Sequence, residues 1–451
     1  MTTIGFHYYP DDTHYRMPDL HAWLPELQAL GARWLTLVGS LTRAVPEIFV
    51  RGLLEAGIEP IIHLPVVPIR PIAPDDLETL FKSYARWGVK YVTLFSEPNM
   101  RSAWSSADWG KPSLVERFLE LLLPVMDAQL EAGLNPVFPA LRAAGDYWDT
   151  GFLEAALAGI NRRSDKSLAE KLVFAVNLWT HNRPLSWGEG GLQRWPEARP
   201  YQTPPGMQNQ QGFHLVDWYD EIIRGRLGES HPFLCLSGGP RVGDHTDPSF
   251  LPVDDQWHES CIRQIMQAQA REELSANLLN INFWLLTAAE DSPFAAEAWY
   301  RNNGTTVAAV DVLKQRLQVQ NKAAKVLKAV GALDGGAEAQ TDADAAKSIQ
   351  HYLLLPSFEW GMSEWHWSAA MDYVKAFQPT CGFSPREAAQ AQRVTIVGNE
   401  QGVSRDTENM LRLAGCVVER VAGRDGEETA ALLKAVAQKN GSRSADRVSE
   451  I

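Results

Sequence analysis

Short runs of β-branched and aromatic residues alternate along this chain with longer stretches whose apolar positions recur every three or four residues. The short runs predict strands over Ile4–Tyr9, Trp34–Val38, Glu59–Leu64, Tyr91–Phe95, Asn135–Phe138, Leu172–Leu178, Pro232–Leu236 and Asn280–Leu286. Helical spacing fills the intervals over His21–Leu30, Pro46–Ala56, Pro74–Trp87 and Val115–Ala132. Gly31, Gly57, Gly88 and Gly133 fall just before the next strand, where a helix ends in a left-handed residue. Asp75 and Asp76 open one helix, where acidic side chains suit the dipole. Eight strand–helix units predict an α/β fold, a (β/α)8 TIM barrel. The competing open, doubly wound sheet needs a Gly-rich loop after its first strand. This chain has Pro10-Asp11-Asp12 there.

Beyond Thr306 a long helical segment runs to Gly331 and should close the barrel. The polar stretch "DGGAEAQTDADAA" then reads as a linker. A second unit follows with three predicted strands, "SIQHYLLL", "RVTIVGN" and "CVVERVAG", interleaved with helices. The expected division is a barrel over 1–333, a linker over 334–346, a small three-layer parallel α/β domain over 347–440 and a disordered tail over 441–451. The loop "VGNEQGVS" is neither a dinucleotide fingerprint nor a P-loop, which favours a structural or partner-docking role for this unit.

At 451 residues the chain exceeds what one core organises, in keeping with two domains. Its net charge of −13 argues against nucleic acid as a partner, because phosphate binding needs clustered Lys and Arg. The four cysteines, Cys235, Cys261, Cys381 and Cys416, form no CxxC pair, so neither zinc nor a disulfide framework is signalled. No apolar run reaches membrane-span length and no leader precedes the first strand, so no membrane partner is expected. The sequence as given reads as cytoplasmic, and a leader already removed would leave the same reading. No cofactor is expected, and nothing specifies the oligomeric state. The 16 tryptophans are the compositional outlier; cores use them, and so do sugar sites.

Loops at the carboxyl ends of barrel strands carry the chemistry. The segment 179–213 is long and rich in Trp, Tyr and Pro, which favours function. Glu97 stands where strand four stops, with Pro98 fixing the chain after it. A plain alternative is a loop carboxylate paired with Arg101. His7, Tyr9, His63, Trp179, His181 and Trp284 lie at other strand ends, and each taken alone is more simply a packing residue. His7, His63 and His181 could converge on a metal. Yet the sequence contains no HExxH and no His-x-His on strand one, so none is expected.

Strand four ending "SEPN" resembles the retaining β-glycosidases of glycoside hydrolase clan A, in which that strand usually ends Asn-Glu-Pro and the Glu is the general acid/base. The resemblance implies a carbohydrate ligand, Glu97 as acid/base, and sugar contacts from Ser96, Asn99, His7, Tyr9, His63, Trp179, His181 and Trp284. Trp104, Trp109 and Trp187 would form outer subsites. Ser96 stands where the clan has Asn. The clan's second carboxylate ends strand seven, where aligning Gly238-Gly239 puts Ser237 at the nucleophile position. No acidic residue lies between Pro232 and Gly243; the first to follow are Asp244 and Asp247. Either could fold back as nucleophile or as the base of an inverting reaction, with Asp244 as the alternative catalytic residue. Asp11, Asp12 and Glu290 are further candidates. A nucleophile-deficient variant and a sugar-binding pseudoenzyme complete the alternatives. The second unit loosely resembles the flavodoxin-like domains appended to some barrel glycosidases.

Overall fold

The computed structural model describes residues 2–164, 166–243, 247–318, 347, 349–356, 364–400 and 402–445. The chain divides into two units, Met1–Asp334 and Gly335–Ile451. The expected linker, 334–346, lies outside the described residues.

The first unit is a (β/α)8 barrel. Its strands are β1 Thr3–His7, β2 Trp34–Val38, β3 Glu59–Leu64, β4 Tyr91–Leu94, β5 Val137–Phe138, β6 Val173–Trp179, β7 Phe233–Gly239 and β8 Asn280–Phe283. They form one parallel sheet in the order β4-β3-β2-β1-β8-β7-β6-β5. A parallel bridge between Tyr91 and Asn135 joins the two ends. β5 is short because Pro136 and Pro139 flank it, and proline has no N–H to give to a ladder.

Side chains alternate between lumen and outer shell. Ile61, Val137, Val173, Ala175, Leu234 and Leu236 pack together as an inner cluster, while the larger outer cluster joins the sheet to its helices. The lumen also holds Thr36, whose hydroxyl donates to the Leu236 carbonyl at 2.8 Å and accepts from Asn282 at 2.8 Å. Gly5 makes room there, since a Cβ at this position would meet Asn282 Oδ1 at 2.3 Å. Helices Met17–Leu30 and Pro74–Trp87 end in left-handed Gly31 and Gly88, as the pattern predicts.

Strand limits differ from expectation at the carboxyl ends of three strands. β1 stops at His7 and β8 at Phe283, whereas β7 runs on to Gly239. In β6 the register shifts between Val176 and Asn177, so that Asn177 comes opposite Ser237.

The second unit holds four parallel strands, not three: β9 Ile349–Leu354, β10 Thr380–Gly382, β11 Ala391–Val397 and β12 Val417–Val421, in the order β10-β9-β11-β12. The extra strand, β10, is three residues on an edge beside Pro379, too short to leave a periodic signal. Tyr352, Leu354, Val394 and Ile396 pack on one face with Leu411. Leu353, Val397 and Val421 pack on the other with Tyr373 and Leu433. Helix Gly426–Ala445 takes in residues 441–445, which the sequence pattern assigns to the tail; 446–451 lie outside the described residues.

Candidate active site

β4 ends in two left-handed non-glycine residues, Phe95 (φ 67) and Glu97 (φ 45). Such backbone costs about 1–3 kcal/mol per residue and concentrates at functional sites. The kink is fixed on its far side by a bond from Glu97 N to Ala140 O at 3.1 Å. The Glu97 carboxylate, 21% exposed, accepts from Arg142 Nε at 3.2 Å and from the Asn177 side chain.

Arg142 follows β5, and Asn99 holds it. The Asn99 amide donates to the carbonyls of Arg142 (2.8 Å) and Tyr147 (2.9 Å), and its oxygen accepts from Arg142 N at 2.9 Å. Asn99 is therefore corrected from a sugar contact to a staple between two loops, fully buried and with its hydrogen bonds committed to backbone. Trp104 is corrected as well. It is 7% exposed, donates to the Pro98 carbonyl at 2.8 Å and packs on Phe118, so it is core and not an outer subsite.

Charges then alternate across the barrel mouth. Arg142 Nη1 reaches Asp247 Oδ2 at 3.5 Å, and Arg241 Nη1 reaches the same oxygen at 3.5 Å. Arg241 also grips Glu297 with two nitrogens, at 2.7 and 2.6 Å. Glu297 accepts from Trp284 Nε1 at 2.7 Å, which fixes the indole. Asn182 holds the Arg241 backbone at both N and O, at 2.9 and 2.7 Å.

This arrangement sets the ionisation of Glu97. Two guanidiniums are already matched by Asp247 and Glu297, so an ionised Glu97 would be a third negative charge. Burial pushes its pKa up, Arg142 pulls it down, Asp247 pushes it up again, and the net direction is upward. Asp247 goes the other way: bonds from Ser249 (Oγ 2.6 Å, N 3.0 Å) and the two arginines outweigh its burial and lower its pKa. Asp149 is also raised by burial, but it is spent on structure, accepting from Ala144 N, Gln210 and Tyr219.

Aromatic rings line the same mouth. Trp284 packs against His7 at 4.8 Å and Trp179 at 6.0 Å, and Phe250 lies 5.6 Å from Trp179 and 4.7 Å from His181. His181 also meets Trp187 at 5.9 Å and Ser249 Oγ at 3.2 Å. Burial lowers His7 to about 3 and His63 and His181 to about 4, so all three are neutral near pH 7. His63 Nε2 donates to the Phe95 carbonyl at 3.1 Å and supports the β4 kink. Tyr9 stacks on His14 at 3.8 Å, in the loop after β1. Trp109 lies half-buried with Arg101 over its ring.

Ser96 is half-buried beside Glu97, and Ser237 is 6% exposed within β7. Asp244 and His245 lie outside the described residues. Among the described residues no three His, Cys, Asp or Glu side chains converge as a metal site, and no helix is long and apolar enough to cross a membrane.

The strand pattern does not single out Arg142, Arg241 or Glu297. What could have found the arginines is their placement just past a strand end, Arg142 four residues after Phe138 in "VFPALR" and Arg241 two residues after Gly239 in "GGPR".

No protein-family model matches the chain, and no curated protein matches it. Solved structures similar to it include a family 39 glycoside hydrolase from Bacteroides cellulosilyticus WH2, with 12% identity and a TM-score of 0.44 over 67% of this chain and 61% of that one. A β-glucuronidase from Lactobacillus rhamnosus gives 12% identity and a TM-score of 0.42 over 70% of this chain and 49% of that one. One from Ruminococcus gnavus, in complex with D-glucuronic acid, gives 12% and 0.38 over the same shares. The chain thus spans about half to three-fifths of these proteins.

Proposed function

We propose that the barrel binds a β-linked oligo- or polysaccharide and hydrolyses a glycosidic bond, with Glu97 as the general acid. What supports this most is Glu97 itself. It is a carboxyl group at the end of β4, driven toward its neutral form by burial and by the nearby Asp247 charge, against the opposing pull of Arg142. A neutral carboxyl can protonate a departing sugar oxygen near pH 7, and a charged one cannot. Trp179 and Trp284 offer flat apolar faces for pyranose C–H groups, while Asn177, bonded to Glu97, lies in reach of a hydroxyl near the scissile bond.

A second reading is a sugar-binding protein without turnover. It is favoured by Ser237, because β7 contributes no carboxylate at the position where retaining enzymes of the resembled clan carry their nucleophile. The two readings separate with a panel of 4-nitrophenyl β-glycosides and β-linked oligosaccharides, assayed for turnover and titrated for binding in parallel. Turnover supports hydrolysis. Binding without turnover, with or without azide as an external nucleophile, supports the second reading.

A further inference from the structure

We propose that Asp247 is the second catalytic carboxylate, acting as general base on a water molecule, and that the barrel cleaves its glycoside with inversion. This rests on the reading of Glu97 as general acid.

The geometry carries it. Glu97 and Asp247 contact different nitrogens of one guanidinium, Nε at 3.2 Å and Nη1 at 3.5 Å. Both carboxylates therefore lie against one guanidinium, no farther apart than the upper end of the roughly 6.5–9.5 Å range of inverting pairs, which leave room for a water. A retaining enzyme would need a carboxylate close enough to bond to C1, and in the resembled clan β7 supplies it. Here β7 offers Ser237, and the carboxylate that reaches the centre stands back on the loop after that strand. Asp247 Oδ1 is taken by Ser249 N and Oγ. Among the described residues Oδ2 has two long contacts, both 3.5 Å, against about 2.7–2.9 Å for a tight charge-assisted bond. That oxygen has capacity for a water, and the side chain is 24% exposed. The opposed directions of the two ionisations divide the roles: Glu97 is shifted toward its protonated form and Asp247 toward its carboxylate.

The step balances without a cofactor. A water between Asp247 and the sugar gives one proton to Oδ2 while its oxygen bonds to the anomeric carbon from the face opposite the leaving group. The bond from that carbon to the glycosidic oxygen breaks, and the departing oxygen takes the Glu97 proton. One water is consumed, and exchange with solvent returns both carboxyls to their starting states.

The test uses the full chain and the 4-nitrophenyl β-glycoside of the panel that turns over fastest. Proton NMR during the first minutes reads which anomer forms first, before mutarotation. Inversion gives the α-anomer. Asp247→Asn should lower kcat/KM by about 100- to 10,000-fold and remove the acid limb of the pH profile while leaving the alkaline limb. Asp247→Ala with azide should yield the α-glycosyl azide. A β-anomer first, or Asp247→Asn turnover within a few-fold of wild type, overturns the role of Asp247. If Glu97→Gln loses far more rate on the β-linked oligosaccharides than on the 4-nitrophenyl glycoside, the acid assignment survives that failure. If no panel member is hydrolysed, both assignments fall.

Discussion

Replacing Arg142 with Met keeps the aliphatic stem and removes the one cation among the described residues in direct contact with Glu97. At an effective dielectric of about 20, unit charges about 4 Å apart interact by about 4 kcal/mol. Two facts reduce this. The Arg142 and Glu97 side chains are 31% and 21% exposed, and Asp247 shares the guanidinium. Allowing about a third to two-thirds of the gross value, loss of Arg142 removes about 1.4–2.7 kcal/mol of stabilisation from the ionised form and should raise the Glu97 pKa. The sign is firm, because Arg142 stabilises the ionised form and the Asp247 charge left behind opposes it. The assay needs no substrate: 13C-glutamate NMR titration, with the Glu97 resonance assigned by its loss in Glu97→Gln. Circular dichroism at each pH checks that the variant stays folded. A Glu97 pKa that is unchanged or lower in Arg142→Met would refute the account of what sets its ionisation.

Two further predictions concern stability. Arg241→Ala strands the carboxylate of Glu297, 1% exposed, and should cost about 3–5 kcal/mol in urea denaturation, with much of the loss recovered in the double variant Arg241→Met/Glu297→Met. A double variant as unstable as the single would contradict the buried-pair argument. His258 is fully buried beside Trp299, has no partner among the described residues at either ring nitrogen, and is held near pKa 4 by burial. Its folded pKa lies below the unfolded value, so its contribution is fully present above about pH 6.5 and is lost at about 1.4 kcal/mol per pH unit as pH falls toward 4. His258→Leu should therefore raise the melting temperature more at pH 5 than at pH 7.5; an equal shift at both would rule out the titration.

The barrel was legible because its signal repeats. Each unit has an apolar run, a glycine-capped helix such as Met17–Leu30 with Gly31, and a run again, and a slip of two residues at one strand end does not disturb the sum. Glu97 was legible for a local reason, an acid and a proline directly after a strand. Its electrostatic partners were not. Arg142 and Glu297 reach the mouth through loops whose course depends on single side chains: Asn99 staples one, and the buried Arg241 pair anchors the other. Hydrophobic periodicity carries no record of such bonds. The same limit explains Asn99 and Trp104, which share a strand end with Glu97 but turn their polar groups to backbone. In the second unit β10 leaves no signal because three residues cannot establish a period of two.

The central claim is that Glu97 protonates the leaving oxygen, and its most direct test compares leaving groups. Glu97→Gln should lose most of its rate on alkyl or sugar leaving groups, by about 100- to 10,000-fold, while an activated dinitrophenyl glycoside that needs no proton should lose far less. A steep dependence of rate on leaving-group pKa in the variant, and a shallow one in wild type, is the predicted result. Equal losses across the series, or no loss at all, would contradict it.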